Sequence, residues 1–229
     1  MADRSIKARV LALLRSGRSL DELEHLPARR LAGALLPALC RPEEQIKWPA
    51  ATALGRVVSR LADEEPEAAR EIMRRLVWSL NDESGSSGWG APEAMAEILA
   101  AHRDLAKKFS PILISHLEPD GNFAGNPPMQ EALLWAAGRL AEAWPDLARR
   151  AAIYLPGYLK SDQPPLRGLS ARLAGLIGAG EFQSELEALA DDEAEFTIFM
   201  NGRLEKARVG LLAQKALALG QPASPAGSP

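Results

Sequence analysis

Three stretches of this chain carry a small residue at the same point of an apolar helical pattern. They are Ala53-Leu54-Gly55-Arg56-Val57, Ala94-Met95-Ala96-Glu97-Ile98 and Ala136-Ala137-Gly138-Arg139-Leu140, with a looser fourth at Leu173-Ala174-Gly175-Leu176-Ile177. Gly55, Ala96, Gly138 and Gly175 are separated by 41, 42 and 37 residues. A period of about 40 residues, each unit long enough for two helices, is what stacked helix pairs require. The expected fold is therefore all-α: a right-handed α-solenoid in which each pair contacts only its neighbours and one core runs throughout.

Composition agrees with close helix packing. Hydrophobic residues make up 47% and aromatics only 5%, so Ala and Leu dominate the interior. A net charge of −3 offers no global attraction to nucleic acid or anionic lipid. The single cysteine, Cys40, excludes an internal disulfide and is read as a buried small hydrophobe in an apolar helix. There is no signal-like apolar core near the start and no run of eighteen apolar residues, so a cytoplasmic location without membrane insertion is expected.

Residues 1–42 are read as a diverged N-terminal cap: a helix from Ser5 to Arg15 ended by Gly17, a capping box at Ser19 and Glu22, and an apolar helix over Leu31–Leu39. Repeats follow over 43–192. First helices are expected at 49–62, 92–104, 128–143 and 165–178, opened by Pro49, Pro92, Pro128 and Pro165 in their first turns. Second helices are expected at 66–81, 106–117, 145–160 and 181–191, with Pro111 and Pro156 kinking or shortening two of them. Then Glu195–Met200, Asn201-Gly202 and Arg203–Arg208 spell a β-hairpin, because Asn-Gly supplies the two positive-φ residues of a type I′ turn. A capping helix over 209–219 completes a single domain over 1–220. Residues 221–229, rich in Pro, Ser, Ala and Gly, are expected to be a disordered tail.

Two connections stand out. Asn81 to Pro92 contains Asp82, Glu83, three glycines and Trp89, and is followed by Glu93. Glu118 to Pro128 repeats that character with Asp120, Phe123 and Asn126. Equivalent connections of a solenoid line up on one edge. Trp48, Asp82, Glu83, Trp89, Glu93, Phe123 and Asn126 are therefore the expected partner-binding ridge. Phosphate cradling is rejected for the first loop, since acidic residues crowd it and no Lys follows the glycines. His25, His102 and His116 are far apart and form no metal-ligand spacing, so no metal, cofactor or catalytic residue is assigned. Basic clusters recur in the second helices at Arg70, Arg74 and Arg75, at Lys107 and Lys108, and at Arg149 and Arg150. Neighbouring acids make solvated, balanced faces their expected role.

The Ala-x-small-x-apolar helices over 43–192 resemble HEAT repeats of the armadillo type. More narrowly, Leu80–Gly85 with Gly88-Trp89-Gly90-Ala91-Pro92-Glu93-Ala94-Met95 is similar to a small bacterial group of HEAT-like proteins from sulfate reducers and other anaerobes. That resemblance implies a fold and a kind of host, and no activity. The paired His-Glu motifs of deoxyhypusine hydroxylase, a HEAT-repeat di-iron enzyme, do not occur; only the reversed Glu24-His25 does. The expected function is a non-catalytic interaction scaffold for a protein or peptide partner. The alternative is a HEAT-like DNA glycosylase or other nucleic-acid-binding protein, with Trp48, Trp89, Trp135 and Asp82 as the residues such a resemblance would use. The negative net charge disfavours it. A chaperone of the bilin-lyase type shares the fold class but has no chromophore-specific signal here.

Overall fold

A computed structural model describes residues 2–17, 21–23, 25–81, 90–118, 120–121, 126–178 and 180–220. The described residues are 77% helical, with a single two-stranded hairpin among them. Helices α1 (Ala2–Ser16) and α2 (Ala28–Leu35) precede α3 (Glu44–Glu64), α4 (Pro66–Leu80), α5 (Ala91–Ala101), α6 (Arg103–Ser115) and α7 (Pro127–Ala143). Then come α8 (Pro145–Ala148), a 3-10 segment at Arg149–Tyr154, α9 (Leu155–Leu159), α10 (Pro164–Leu176) and α11 (Gln183–Leu189). Strands β1 (Glu195–Met200) and β2 (Arg203–Arg208) and helix α12 (Val209–Gly220) close the chain.

The apolar residues of α3, α5, α7, α10 and α12 pack on one another in that order. Small residues permit the approach. A Cβ on Gly55 would lie 2.9 Å from the carbonyl oxygen of Glu97 in α5, and one on Gly175 would lie 2.6 Å from the Cα of Ala216 in α12. Ala96 is fully buried between them in the row. At Gly138 the space is taken instead by the Arg172 guanidinium from α10. Helix α5 sits centrally and is buried on nearly every side, from Ala91 to Leu99, as a helix with neighbours all round must be.

Five hydrogen bonds between elements span separations close to those of the small residues, while others, such as Arg149 to the Ile177 carbonyl and Arg172 to Glu142, span 28 and 30 residues. Ser59 donates to the Ala101 carbonyl, Arg139 to Glu97, Tyr158 to the Leu117 carbonyl, Arg103 to Asp146 and Trp144 to the Leu99 carbonyl, linking residues 42, 42, 41, 43 and 45 apart. Burial pushes the Tyr158 phenol up to about 12, so it stays a donor.

Several boundaries differ from expectation for local reasons. Helix α3 begins at Glu44, so Pro49 lies inside it rather than in its first turn. Ile46 and Trp48, three residues and one residue before Pro49, are buried and draw the helix start back. The span 145–160 is not one helix. Pro156 has no N–H for the Ala152 carbonyl, and the chain passes through 3-10 geometry before restarting as α9. Pro111, in contrast, is accommodated on the exposed side of α6, which continues to Ser115. Cys40 is exposed in the turn after Leu39, because the N-terminal helix ends at Leu35 and only Ala38 and Leu39 turn inward beyond it. Ser19 and the 221–229 tail lie outside the described residues; Asp21–Leu23 is a short 3-10 turn.

The hairpin forms as its sequence requires. Asn201 and Gly202 take φ of 53° and 78°, and Met200 pairs with Arg203 across a two-residue turn.

Candidate functional site

Polar side chains converge where α3, α5 and α7 begin. Lys47 projects from the first turn of α3, and its Nζ lies 3.1 Å from Glu44 Oε1 and 3.2 Å from Glu93 Oε1. It also sits 4.9 Å from the Trp48 ring centre, within cation–π range. Glu93 enters from the first turn of α5, where the helix dipole favours an acid. That turn is set by Gly90, whose φ of 78° only glycine takes readily; a Cβ there would meet the Leu39 carbonyl at 2.8 Å. Glu131 of α7 also feels the charge on Lys47.

One ammonium thus serves three carboxylates. Burial alone would lower the Lys47 pKa, but Glu93 and Glu44 outweigh it and hold the ammonium above its ordinary value. Glu93 is 3% exposed, so burial raises its carboxyl despite Lys47. Glu131 is raised by burial for the same reason, with Glu44 and Glu93 adding repulsion. Glu93 Oε2 is buried without a hydrogen-bond partner. A carboxyl whose pKa is raised by burial is the kind of group that acts as a general acid. Among the described residues no group of three His, Cys, Asp or Glu could hold a metal ion.

Aromatic rings seal the cluster. Trp48 stacks on Phe199 of β1 with ring centres 4.3 Å apart and planes 4° apart, and meets Trp135 of α7 edge-on at 4.6 Å. Trp135 Nε1 donates to the Phe199 carbonyl at 2.7 Å. Strand β1 therefore reaches Trp48 near the start of α3 and Trp135 in the middle of α7, and all three rings are buried. A second polar chain follows the same row: Arg139 reaches Glu97 at 3.2 Å and Glu142 at 3.6 Å, and Arg172 of α10 reaches Glu142. Burial is the main influence raising the Glu97 carboxyl.

Of the residues expected on one exposed ridge, Trp48 and Glu93 do come together, but inside the packing rather than on a rim. Phe199, far along the sequence, stacks on Trp48 and covers it, while Glu93 is enclosed within the packing of α5. Asn126 is placed at the start of α7, where its side-chain oxygen accepts from Met129 N–H at 3.3 Å as an N-cap. Asp82, Glu83, Trp89 and Phe123 lie outside the described residues. Lys47 and Glu131 had no sequence signal of their own beyond the acidic residues near Trp48. His102 accepts from Leu105 N–H and caps α6, and His116 bonds the Ile112 carbonyl.

The basic clusters of the second helices are on the surface. Glu67 takes both Arg70 and Arg74, at 3.1 and 2.7 Å, and both arginines pull its carboxyl below the ordinary range. Lys107 pairs with Asp104, and Arg149 with Glu181. Trp78 on α4 is 77% exposed and Ile153 in the 3-10 segment 75% exposed. A shallow depression of about 400 Å³ beside α4, lined by Arg29, Glu65, Pro66, Glu67, Ala68 and Glu71, holds no converging catalytic groups.

No family model matches the chain. It is 36% identical over 84 residues to a protein of Archaeoglobus fulgidus described as uncharacterized, a match covering 37% of this chain and 43% of that protein. The chain thus spans under half the length of that relative. Among solved structures, the crystal structure of an engineered protein superposes with a TM-score of 0.54 at 18% identity, covering 95% of this chain and 90% of the other. That likeness concerns the fold alone. No helix among the described residues is long and apolar enough to cross a membrane.

Proposed function

We propose that the chain is a right-handed HEAT-like α-solenoid acting in the cytoplasm as a non-catalytic scaffold for a protein or peptide partner. The hydrogen bonds spaced by 41 to 45 residues support the repeat architecture. The observation that carries the function is Trp78: a large aromatic ring 77% in water on a helix whose other apolar residues are packed. Buried aromatic anchors dominate protein interfaces, and an exposed one on a rigid helix is pre-positioned for that role. By sequence, Asp82, Glu83, Trp89, Phe123 and Asn126 extend the candidate contacts.

A glycosylase would need an acid and aromatics open to a flipped base. Glu93 is buried, and Trp48 and Trp135 are buried against Phe199, which weighs against it. The surface arginines keep nucleic acid as the second possibility. The test is twofold. A stoichiometric complex rebuilt from the purified protein and a purified partner, and weakened by Trp78→Ala, is the expected result. Excision of an alkylated base from duplex DNA by the wild-type protein would overturn the scaffold.

A further inference from the structure

The outer helices repeat one surface pattern three times. Each carries two consecutive basic residues followed three positions later by an exposed apolar one: Arg74-Arg75 with Trp78, Lys107-Lys108 with Pro111, Arg149-Arg150 with Ile153. In each pair the first residue is neutralised, by Glu67, Asp104 and Glu181 respectively. The second is not. Arg75 and Arg150 meet no carboxylate among the described residues, and Lys108 lies only over the Phe109 ring.

These three cations stand at one height. The register Gly55, Ala96, Gly138 levels the first helices, as the bonds Ser59 to Ala101 and Arg139 to Glu97 attest. Helix α3 runs about one turn further past Gly55 than α5 and α7 run past Ala96 and Gly138. The antiparallel α4 retraces that turn, which brings Arg75 level with Lys108. Arg103 to Asp146 and Tyr158 to Leu117 level the next pair of outer helices from both ends, and with them Lys108 and Arg150. Packed helices lie about 8–10 Å apart. A chain in polyproline II geometry advances about 9 Å per three-residue turn and returns every third side chain to one face. The two spacings coincide.

We infer that this outer face binds an extended acidic segment of a protein partner, with an Asp or Glu at every third position and apolar residues between. This rests on the scaffold function proposed above and specifies its partner. The carboxylates would meet Arg75, Lys108 and Arg150 in turn, and the intervening apolar side chains would cover Trp78, Pro111 and Ile153. A phosphate backbone fits less well. Glu67, Glu71, Asp104 and Asp146 interrupt the positive field, and the apolar steps would face nothing on a duplex.

The probe is a fluorescein-labelled peptide of four Glu-Pro-Leu triplets, titrated with the full chain by anisotropy. Binding should weaken with salt and fall about ten- to hundredfold in the Arg75→Gln, Lys108→Gln, Arg150→Gln triple variant, each exposed pair being worth about a two- to fivefold factor. Trp78→Ala should weaken it about fivefold or more. A peptide with glutamates at every second position should bind several-fold more weakly. All substituted side chains are exposed, so the thermal midpoint should stay within about 2 °C of wild type. Equal binding by the triple variant, or indifference to acid spacing, overturns the inference. So does tighter binding of a duplex DNA of equal charge that the triple variant loses. A purified partner held equally by wild type and triple variant would also overturn this surface while leaving the scaffold intact. Base excision by the wild type would remove the scaffold itself.

Discussion

Replacing Gly175 by Ala adds a single methyl where the backbones of two helices in the row, α10 and α12, approach closely. That carbon would stand 2.6 Å from Ala216 Cα and 2.7 Å from its Cβ, where relaxed carbons prefer about 3.5–4.0 Å. Helix α12 would have to retreat by about 1 Å. Its first turn is tethered, since Val209 N–H bonds the Ala194 carbonyl and Gly210 N–H the Asp192 carbonyl, so the shift cannot be absorbed by a free rotation. Overpacking of this kind costs about 1–3 kcal/mol, and the better helix propensity of Ala offsets about 1 kcal/mol. Gly33→Ala in α2 isolates that second effect, because a Cβ there meets nothing within 4 Å. Gly33→Ala should gain about 1 kcal/mol, and the two variants should differ by the strain alone. At about 2–4 °C per kcal/mol for a chain of this size, their thermal midpoints should lie about 2–12 °C apart, with Gly175→Ala lower. Differential scanning calorimetry on both proteins measures this. Midpoints that rise together by the same amount would refute the close approach of α10 and α12.

Phe199→Ala should cost about 3–5 kcal/mol in denaturant unfolding and shift tryptophan emission to the red, as Trp48 and Trp135 meet water; unchanged emission would count against the ring stack. Gly202→Val places a β-branched residue at φ 78° and should lower stability by about 1–3 kcal/mol, with chemical shifts over 195–208 reporting whether the hairpin survives. Glu93 has its folded pKa raised above the ordinary 4.5, so below that value it is neutral in both states and its ionisation costs nothing. As pH rises from 4.5 through the folded pKa, the folded state resists ionisation and stability is lost. The wild-type midpoint should therefore fall relative to Glu93→Gln as pH is raised from 4 to 8, and a constant difference would refute the raised pKa.

The helix pairs were legible because their punctuation is local. Pro66, Pro92, Pro127 and Pro164 each sit in the first turn of a helix, and Asn201-Gly202 needs no distant contact to dictate its turn. Pro49 misled because its helix is started by the burial of Ile46 and Trp48, which depends on residues elsewhere. The expected ridge failed at Trp48 and Glu93 for the same reason: exposure is a tertiary property, decided at Trp48 by Phe199 and at Glu93 by the packing around α5. Basic pairs in the outer helices were plain in the sequence. Which member of each pair is neutralised was not, since Arg74 finds its acid seven residues back and Arg149 finds Glu181 on another element.

The stack of Phe199 on Trp48 joins the third helix to nearly the last element of the chain. On the ribosome, α3 to α7 would emerge and pair while that strand is still unsynthesised, leaving two indole rings and the Lys47 cluster uncovered throughout. Completion of the hairpin then acts as a latch set only after those helices have been made. A chain that spans its early and late segments in this way should lose the gradual fraying of a linear array and come apart as one unit. A truncation before Glu195 should restore the fraying, with α3 and α7 exchanging amide protons sooner than the protected middle of α5.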